Sequence, residues 1–97
     1  MTRYIVLASF TDQGIRTVKD TTKRAAAVRE MASQFGVTVT DLYWTLGKYD
    51  LVMTLEAQDD AGFTAFGLTI GAQGNVRTQT LRAFSADDMQ AILSKMR

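Results

Sequence analysis

The sequence predicts an α+β fold: an antiparallel sheet of four strands, helices packed on one of its faces, and one further helix at the end. Three observations predict it. Short apolar stretches and stretches of helical period follow one another in the order strand, helix, strand, strand, helix, strand. Gly47-Lys48 stands between the two central strands, where a hairpin would turn. "SADD" opens a last amphipathic segment with the spacing of a capping box. With 97 residues, 46% of them hydrophobic, the chain fits one domain over 1–97 built on one core.

Residues 3–10 read as a strand that is apolar on both faces, with Tyr4, Val6 and Ala8 against Ile5 and Leu7. "TDQGIRTVKD" follows as a loop or short helical turn, with Thr11 or Asp12 as its cap. Over 22–35, Ala25, Val28, Met31, Ala32 and Phe35 recur at three- and four-residue steps, and Gly36 stands where a helix end takes a left-handed residue. Strands are expected over 37–46 and 49–57. A helix over 60–70 carries Phe63, Phe66 and Ile70 on one side and ends at "GAQGN", and the last strand covers 76–84. The terminal helix lines up Met89, Ile92, Leu93 and Met96. The order is the split β-α-β arrangement of ferredoxin-like domains. The linker "FSADD" is short, so the last helix is expected to cover its own subunit.

If Gly47-Lys48 forms a two-residue turn, Gly in first place suits type II′. The pairing then sets Leu46 opposite Tyr49, Trp44 opposite Leu51, Leu42 opposite Met53 and Thr40 opposite Leu55 on one face. The other face pairs Thr45 with Asp50, Tyr43 with Val52, Asp41 with Thr54 and Val39 with Glu56. The first set is a core, with Trp44 and Tyr49 inside it or at its edge. The second is mixed: Val39, Tyr43, Val52 and one apolar side of the first strand lie among Asp41, Asp50 and Glu56, with Arg77 or Arg82 nearby. It is too apolar to stay fully wet. Burial against a second subunit resolves this, so a homo-oligomer, at least a dimer, is expected.

Composition excludes much chemistry. With no Cys and no His there is no disulfide, thiolate, zinc-thiolate site or imidazole base, so Ser-His and Cys-His catalysis are out of reach. Asp59-Asp60 and Asp87-Asp88 each stand where a helix begins and read as caps; no metal and no cofactor are expected. Eleven Lys and Arg against ten Asp and Glu give a net charge of +1 without a basic stripe, so nucleic acid is not an expected partner. The apolar stretch in "MTRYIVLASF" is too short to span a bilayer and lacks a signal-peptide pattern, which makes a cytoplasmic protein with no membrane partner the expectation.

"FTDQGI", "YWTLGKYDLV" and "GNVRTQTLRAF" together resemble the GYD domain family, named for the Gly, Tyr and Asp that stand here as Gly47, Tyr49 and Asp50. The resemblance runs nearly end to end. It implies a ferredoxin-like fold of the dimeric α/β-barrel type, pairing through the open sheet face, and it implies no established activity.

Candidate ligand-binding residues are Tyr43, Asp50, Arg82, Tyr49 and Asp41. Asp50 has two readings. In one it satisfies Thr45 or tidies the hairpin. In the other it is a partly desolvated carboxylate beside Tyr43, able to act as a base or hold a polar ligand. Arg77 and Arg82 are five apart and point to opposite faces of a regular strand. "TDQG" lacks the spacing of a phosphate-binding loop and reads as a cap. Three functions fit: a homo-oligomeric domain binding a small molecule at the open face or subunit interface; a cofactor-independent monooxygenase- or isomerase-like enzyme using an Asp-Tyr pair; or a structural or regulatory assembly module.

Overall fold

The computed structural model describes residues 1–97. In chain order it runs β1 Thr2–Phe10, α1 Asp12–Arg16, α2 Thr21–Ala32, β2 Val37–Trp44, β3 Leu51–Ala57, α3 Asp60–Gln73, β4 Val76–Ala83 and α4 Ala86–Leu93, with short 3-10 turns at Val18–Asp20 and Ser33–Phe35. The strands form one antiparallel sheet in the order β2-β3-β1-β4, the ferredoxin-like arrangement. No helix is long and apolar enough to cross a membrane.

The ends of the elements follow local chemistry. Thr11 caps α1 by accepting the Gly14 N–H, and Asp59 caps α3 by accepting the Gly62 N–H at 2.7 Å. Gly36 (φ 70°) ends the helical stretch before β2 in the left-handed region, as expected. Helix α3 runs through Gly71 and stops at Gly74 (φ 82°), three residues later than the periodicity indicated. Only Gly74 takes the left-handed conformation; Gly71 remains helical. Ser85 and Asp88 form a reciprocal capping box on α4, and the Ser85 N–H and hydroxyl hold the Asp88 carboxyl below its ordinary range.

The core lies between the sheet and helices α2 and α3: Tyr4 and Val6 from β1, Val37 and Val39 from β2, Met53, Leu55 and Ala57 from β3, and Ala32, Phe63, Phe66 and Ile70 from the helices. Tyr4 stacks on Phe63 with ring centroids 3.8 Å apart, and its hydroxyl donates to the Asp60 carboxylate.

The hairpin keeps the expected register where β2 and β3 approach their turn: Trp44 opposite Leu51, Tyr43 opposite Val52, Leu42 opposite Met53, Asp41 opposite Thr54. Beyond Asp41 it does not. A bulge at Thr40 sets Val39 opposite Leu55 and Thr38 opposite Glu56, so Val39 turns into the core instead of onto the mixed face. The reason is parity. Val37 and Val39 are odd, Leu42 and Trp44 even, and one surplus residue puts all four on the helix side. Thr40 is that residue, with its hydroxyl 3.0 Å from the Thr54 carbonyl.

The turn also differs from the two-residue form. The ladder closes at Thr45 N–H to Asp50 C=O (2.8 Å), with the Thr45 hydroxyl donating to Tyr49 C=O (2.6 Å), which leaves 46–49 as a four-residue loop around Gly47 (φ 122°). Leu46 is fully exposed and does not face Tyr49. Trp44 does lie on the helix side, at its edge, its indole N–H donating to the Thr21 hydroxyl at 3.0 Å. Helix α4 does not cover its own subunit: Met89, Ile92, Leu93 and Met96 are all exposed.

Burial, joined by the Asp60 carboxylate, raises the Tyr4 phenol above its ordinary value of 10.0. A phenol that ionises later in the folded chain than in the unfolded one contributes fully below about pH 10 and loses that contribution as pH rises through its folded-state value. Tyr4→Phe is therefore expected to cost about 1 kcal/mol at neutral pH, through the lost hydrogen bond to exposed Asp60. It should also flatten the alkaline fall in stability, as measured by urea unfolding at pH 7 and above pH 10.

Candidate functional site

On the open face of the sheet, register alone arranges the side chains in cross-strand rows. Tyr43, Val52, Leu7 and Gln79 form one; Asp41, Thr54, Ile5 and Leu81 the next; Thr38, Glu56, Arg3 and Ala83 the third. Asp50, Ser9 and Arg77 stand at the hairpin end. The centre is apolar, carried by Ile5, Leu7, Val52 and Leu81. Its border is polar and of both signs. Arg3 pairs with Glu56 at 2.9 Å, and Asp41 accepts the Thr54 hydroxyl at 3.1 Å.

The five candidate residues do not form one cluster. Asp41 and Tyr43 lie on the open face near the β2 edge, and Tyr43 is 61% exposed. Tyr49 is not in the core. Its side chain reaches from the hairpin across the end of β1 to β4, where its hydroxyl donates to Gln79 Oε1 at 2.7 Å. Arg82 sits opposite Tyr4 on the helix side, its guanidinium 4.6 Å from the Phe84 ring centroid and donating to the Arg3 carbonyl at 3.2 Å. It is therefore separated by the sheet from Tyr43 and Asp41. Arg77 is the last-strand arginine on the open face, opposite Ser9.

Asp50 is engaged with the backbone. Its Oδ2 accepts the Phe10 N–H at 2.8 Å, and its own N–H donates to the Ala8 carbonyl at 2.8 Å, carrying the β1–β3 ladder one residue past Leu51. No hydrogen bond joins it to Tyr43 or Tyr49. One residue on, the Thr11 N–H donates to Asn75 C=O (3.1 Å) and the Thr11 hydroxyl to Gly74 C=O (2.5 Å), while Gln13 Nε2 donates to Gln73 C=O (2.9 Å). Gly14 packs so closely on this turn that a Cβ there would lie 1.9 Å from the Asn75 oxygen.

Sequence reasoning missed Gln79, which is polar at an unremarkable strand position; Asn75, expected only to serve the turn after Gly74, also accepts the Thr11 N–H through its carbonyl and Gln13 Nε2 through its side chain. On the helix side, a small apolar cavity of about 60 Å³ lies among Phe10, Ala25, Val28, Leu42 and Val76, below the several hundred Å³ of an ordinary ligand pocket. No cluster of three carboxylates is placed to hold a metal ion.

The GYD domain model matches residues 4–93. A curated protein of Thermus thermophilus, named glutamine synthetase and cystathionine beta-lyase binding protein, is 37% identical over 94 residues, covering 96% of this chain and 99% of its own. Among solved structures, MtbAldR is similar with a TM-score of 0.67 at 13% identity over 87% of this chain; the chain spans 53% of MtbAldR. A hypothetical protein from Pyrococcus horikoshii has a TM-score of 0.61 at 21% identity, covering 88% of this chain and 92% of its own. At these identities the two structures show the shared fold alone.

Asp50→Ala should cost about 1–3 kcal/mol by leaving the half-buried Phe10 N–H without its acceptor. Asp50→Asn keeps an oxygen in place and should cost less than Asp50→Ala. Thermal unfolding of both variants decides between this role and one confined to ligand binding.

Proposed function

This chain belongs to the GYD domain family, and from that premise we propose that it acts without catalysis, as a homo-oligomeric binding domain whose open sheet face receives the partner. The observation that carries the reading is the layout of that face. Ile5, Leu7, Val52 and Leu81 make an apolar centre within a rim of Arg3, Glu56, Asp41 and Arg77, the anatomy of a protein interface. Both helices α2 and α3 are committed to the opposite side.

The lack of a poised reactive group supports binding over catalysis. Asp50 accepts the Phe10 N–H and makes no hydrogen bond to Tyr43, which speaks against the Asp50–Tyr43 acid/base pair that an isomerase- or monooxygenase-like reaction would need. The kind of partner is inferred from the Thermus thermophilus relative, named for binding glutamine synthetase and cystathionine beta-lyase. By that likeness the partner is a metabolic enzyme, met as a protein surface.

A second reading keeps a small molecule as the ligand, held between the open faces of two copies. It is favoured by the polar atoms of Tyr43, Asp41 and Arg77 at the border of the apolar centre. Within one protomer the helix-side cavity holds only about 60 Å³, and the larger recess, of about 790 Å³, lies beside Thr11, Gln13, Gly74 and Arg77.

A stable contact through this face should bury about 1,000 Å² or more in total. Light scattering at micromolar concentration is expected to give the mass of a dimer or a multiple of it. Leu81→Lys, which sets a charge in the apolar centre, should weaken enzyme binding by at least about tenfold with the circular dichroism unchanged. Titration with purified glutamine synthetase and cystathionine beta-lyase tests the partner. Binding that survives Leu81→Lys would move the site off this face.

A further inference from the structure

Each protomer has one open face, and its size decides how many contacts it can hold. The strands are 7 to 9 residues long. At about 3.3 Å per residue along a strand and about 4.8 Å between strands, the four present roughly 500 Å² in plan. Two such faces laid together bury about 1,000 Å² in total, where the range of specific protein contacts begins. One contact therefore takes the whole face.

The apolar side chains lead to the same limit. Ile5 and Leu81 are cross-strand neighbours, as are Leu7 and Val52, so the four form one group at the centre and not two. Any partner that uses this centre covers all four. The protomer has no equivalent face to offer in its place, because α2 and α3 are packed on the other side of the sheet.

The face also suits a copy of itself. A two-fold sets each patch against its equal, and an apolar centre is its own complement. On the border Arg3 and Arg77 balance Glu56 and Asp41, while the Asp50 carboxylate is turned to the Phe10 N–H, so two like faces meet without strong net repulsion. We propose that a second copy of this chain covers the open face until the enzyme displaces it, so that self-association and enzyme binding exclude one another. The proposal rests on the reading that the enzyme docks on this face.

Contact size sets how the exchange behaves. Contacts near about 1,000 Å² belong to pairs that come apart and re-form, not to permanent dimers. Mass action then makes the chain's own concentration a control. At a total concentration about a hundred times the dimer dissociation constant, about 7% of the chain is free monomer, and its apparent affinity for the enzyme falls about fifteenfold.

The chain has no Cys, so Leu68→Cys, exposed on α3 and away from the open face, takes a single dye. Donor- and acceptor-labelled copies should exchange partners and show energy transfer. Adding purified glutamine synthetase or cystathionine beta-lyase should lower that transfer in proportion to the enzyme bound. The rate of loss should reach a ceiling at high enzyme concentration, set by the dimer's own dissociation. Sedimentation of the complex should give one copy of the chain per occupied site.

Enzyme bound with energy transfer undiminished would overturn the exclusion, and so would labelled copies that show no transfer before enzyme is added. Leu81→Lys should lose both energy transfer and enzyme binding. Transfer retained in Leu81→Lys places the self-contact on another surface and also overturns the proposal. Enzyme binding retained in Leu81→Lys is the separate failure, that of the open-face reading itself.

Discussion

The end of β1 is the point on which the rest of the structure depends. Within five residues, Phe10 gives its N–H to Asp50, Thr11 gives its N–H and hydroxyl to Asn75 and Gly74, and Gly14 closes to a distance from Asn75 that no side chain would permit. The three stretches involved lie far apart in sequence: "FTDQGI", "YWTLGKYDLV" and "GNVRTQTLRAF". Their convergence joins the central strand to the hairpin on one side and to the α3–β4 turn on the other. Half-buried backbone groups here have few other partners, and each bond fixes the position of the next.

That junction gives the Gly, Tyr and Asp that name the family a part in the architecture of this chain. The Gly gives the hairpin loop its positive φ, the Tyr spans to Gln79, and the Asp closes the β1–β3 ladder. Each holds geometry. The surface they hold is the open sheet face, flanked by Tyr43 and Tyr49 and free of helices.

The fold was legible because its signals are local and agree with one another. Period, caps and turn residues fixed the order of elements, and Ser85, Asp59, Thr11 and Gly36 each mark an end that the structure uses. The errors came where two local rules compete. Strict alternation through the hairpin puts Val39 on the wrong face, because it has no place for the bulge between Val39 and Asp41. Tyr49 was assigned to the core from alternation within β3, but β3 begins only at Leu51, and outside a strand alternation no longer sets direction. The site was less legible than the fold. Arg82 was grouped with Tyr43 and Asp50 by nearness, while the pairing of β4 with β1 puts it beside Tyr4. The engagement of Asp50 depends on a contact 40 residues away, which no local pattern encodes.

The bulge at Thr40 bears on how the molecule stays out of aggregates in a crowded solution. An open four-stranded sheet has two free edges, β2 and β4, and each could template an incoming strand. On β2 the extra residue breaks the even spacing of outward N–H and C=O groups midway, and the Arg29 guanidinium occupies the Val39 carbonyl at 3.2 Å. A foreign strand can pair with only a few residues there before losing step. The β4 edge runs without interruption but carries Arg77 and Arg82 near its two ends, and stacking such strands in register would bring like charges together. The sheet is thus guarded against fibrous growth by shape on one side and by charge on the other.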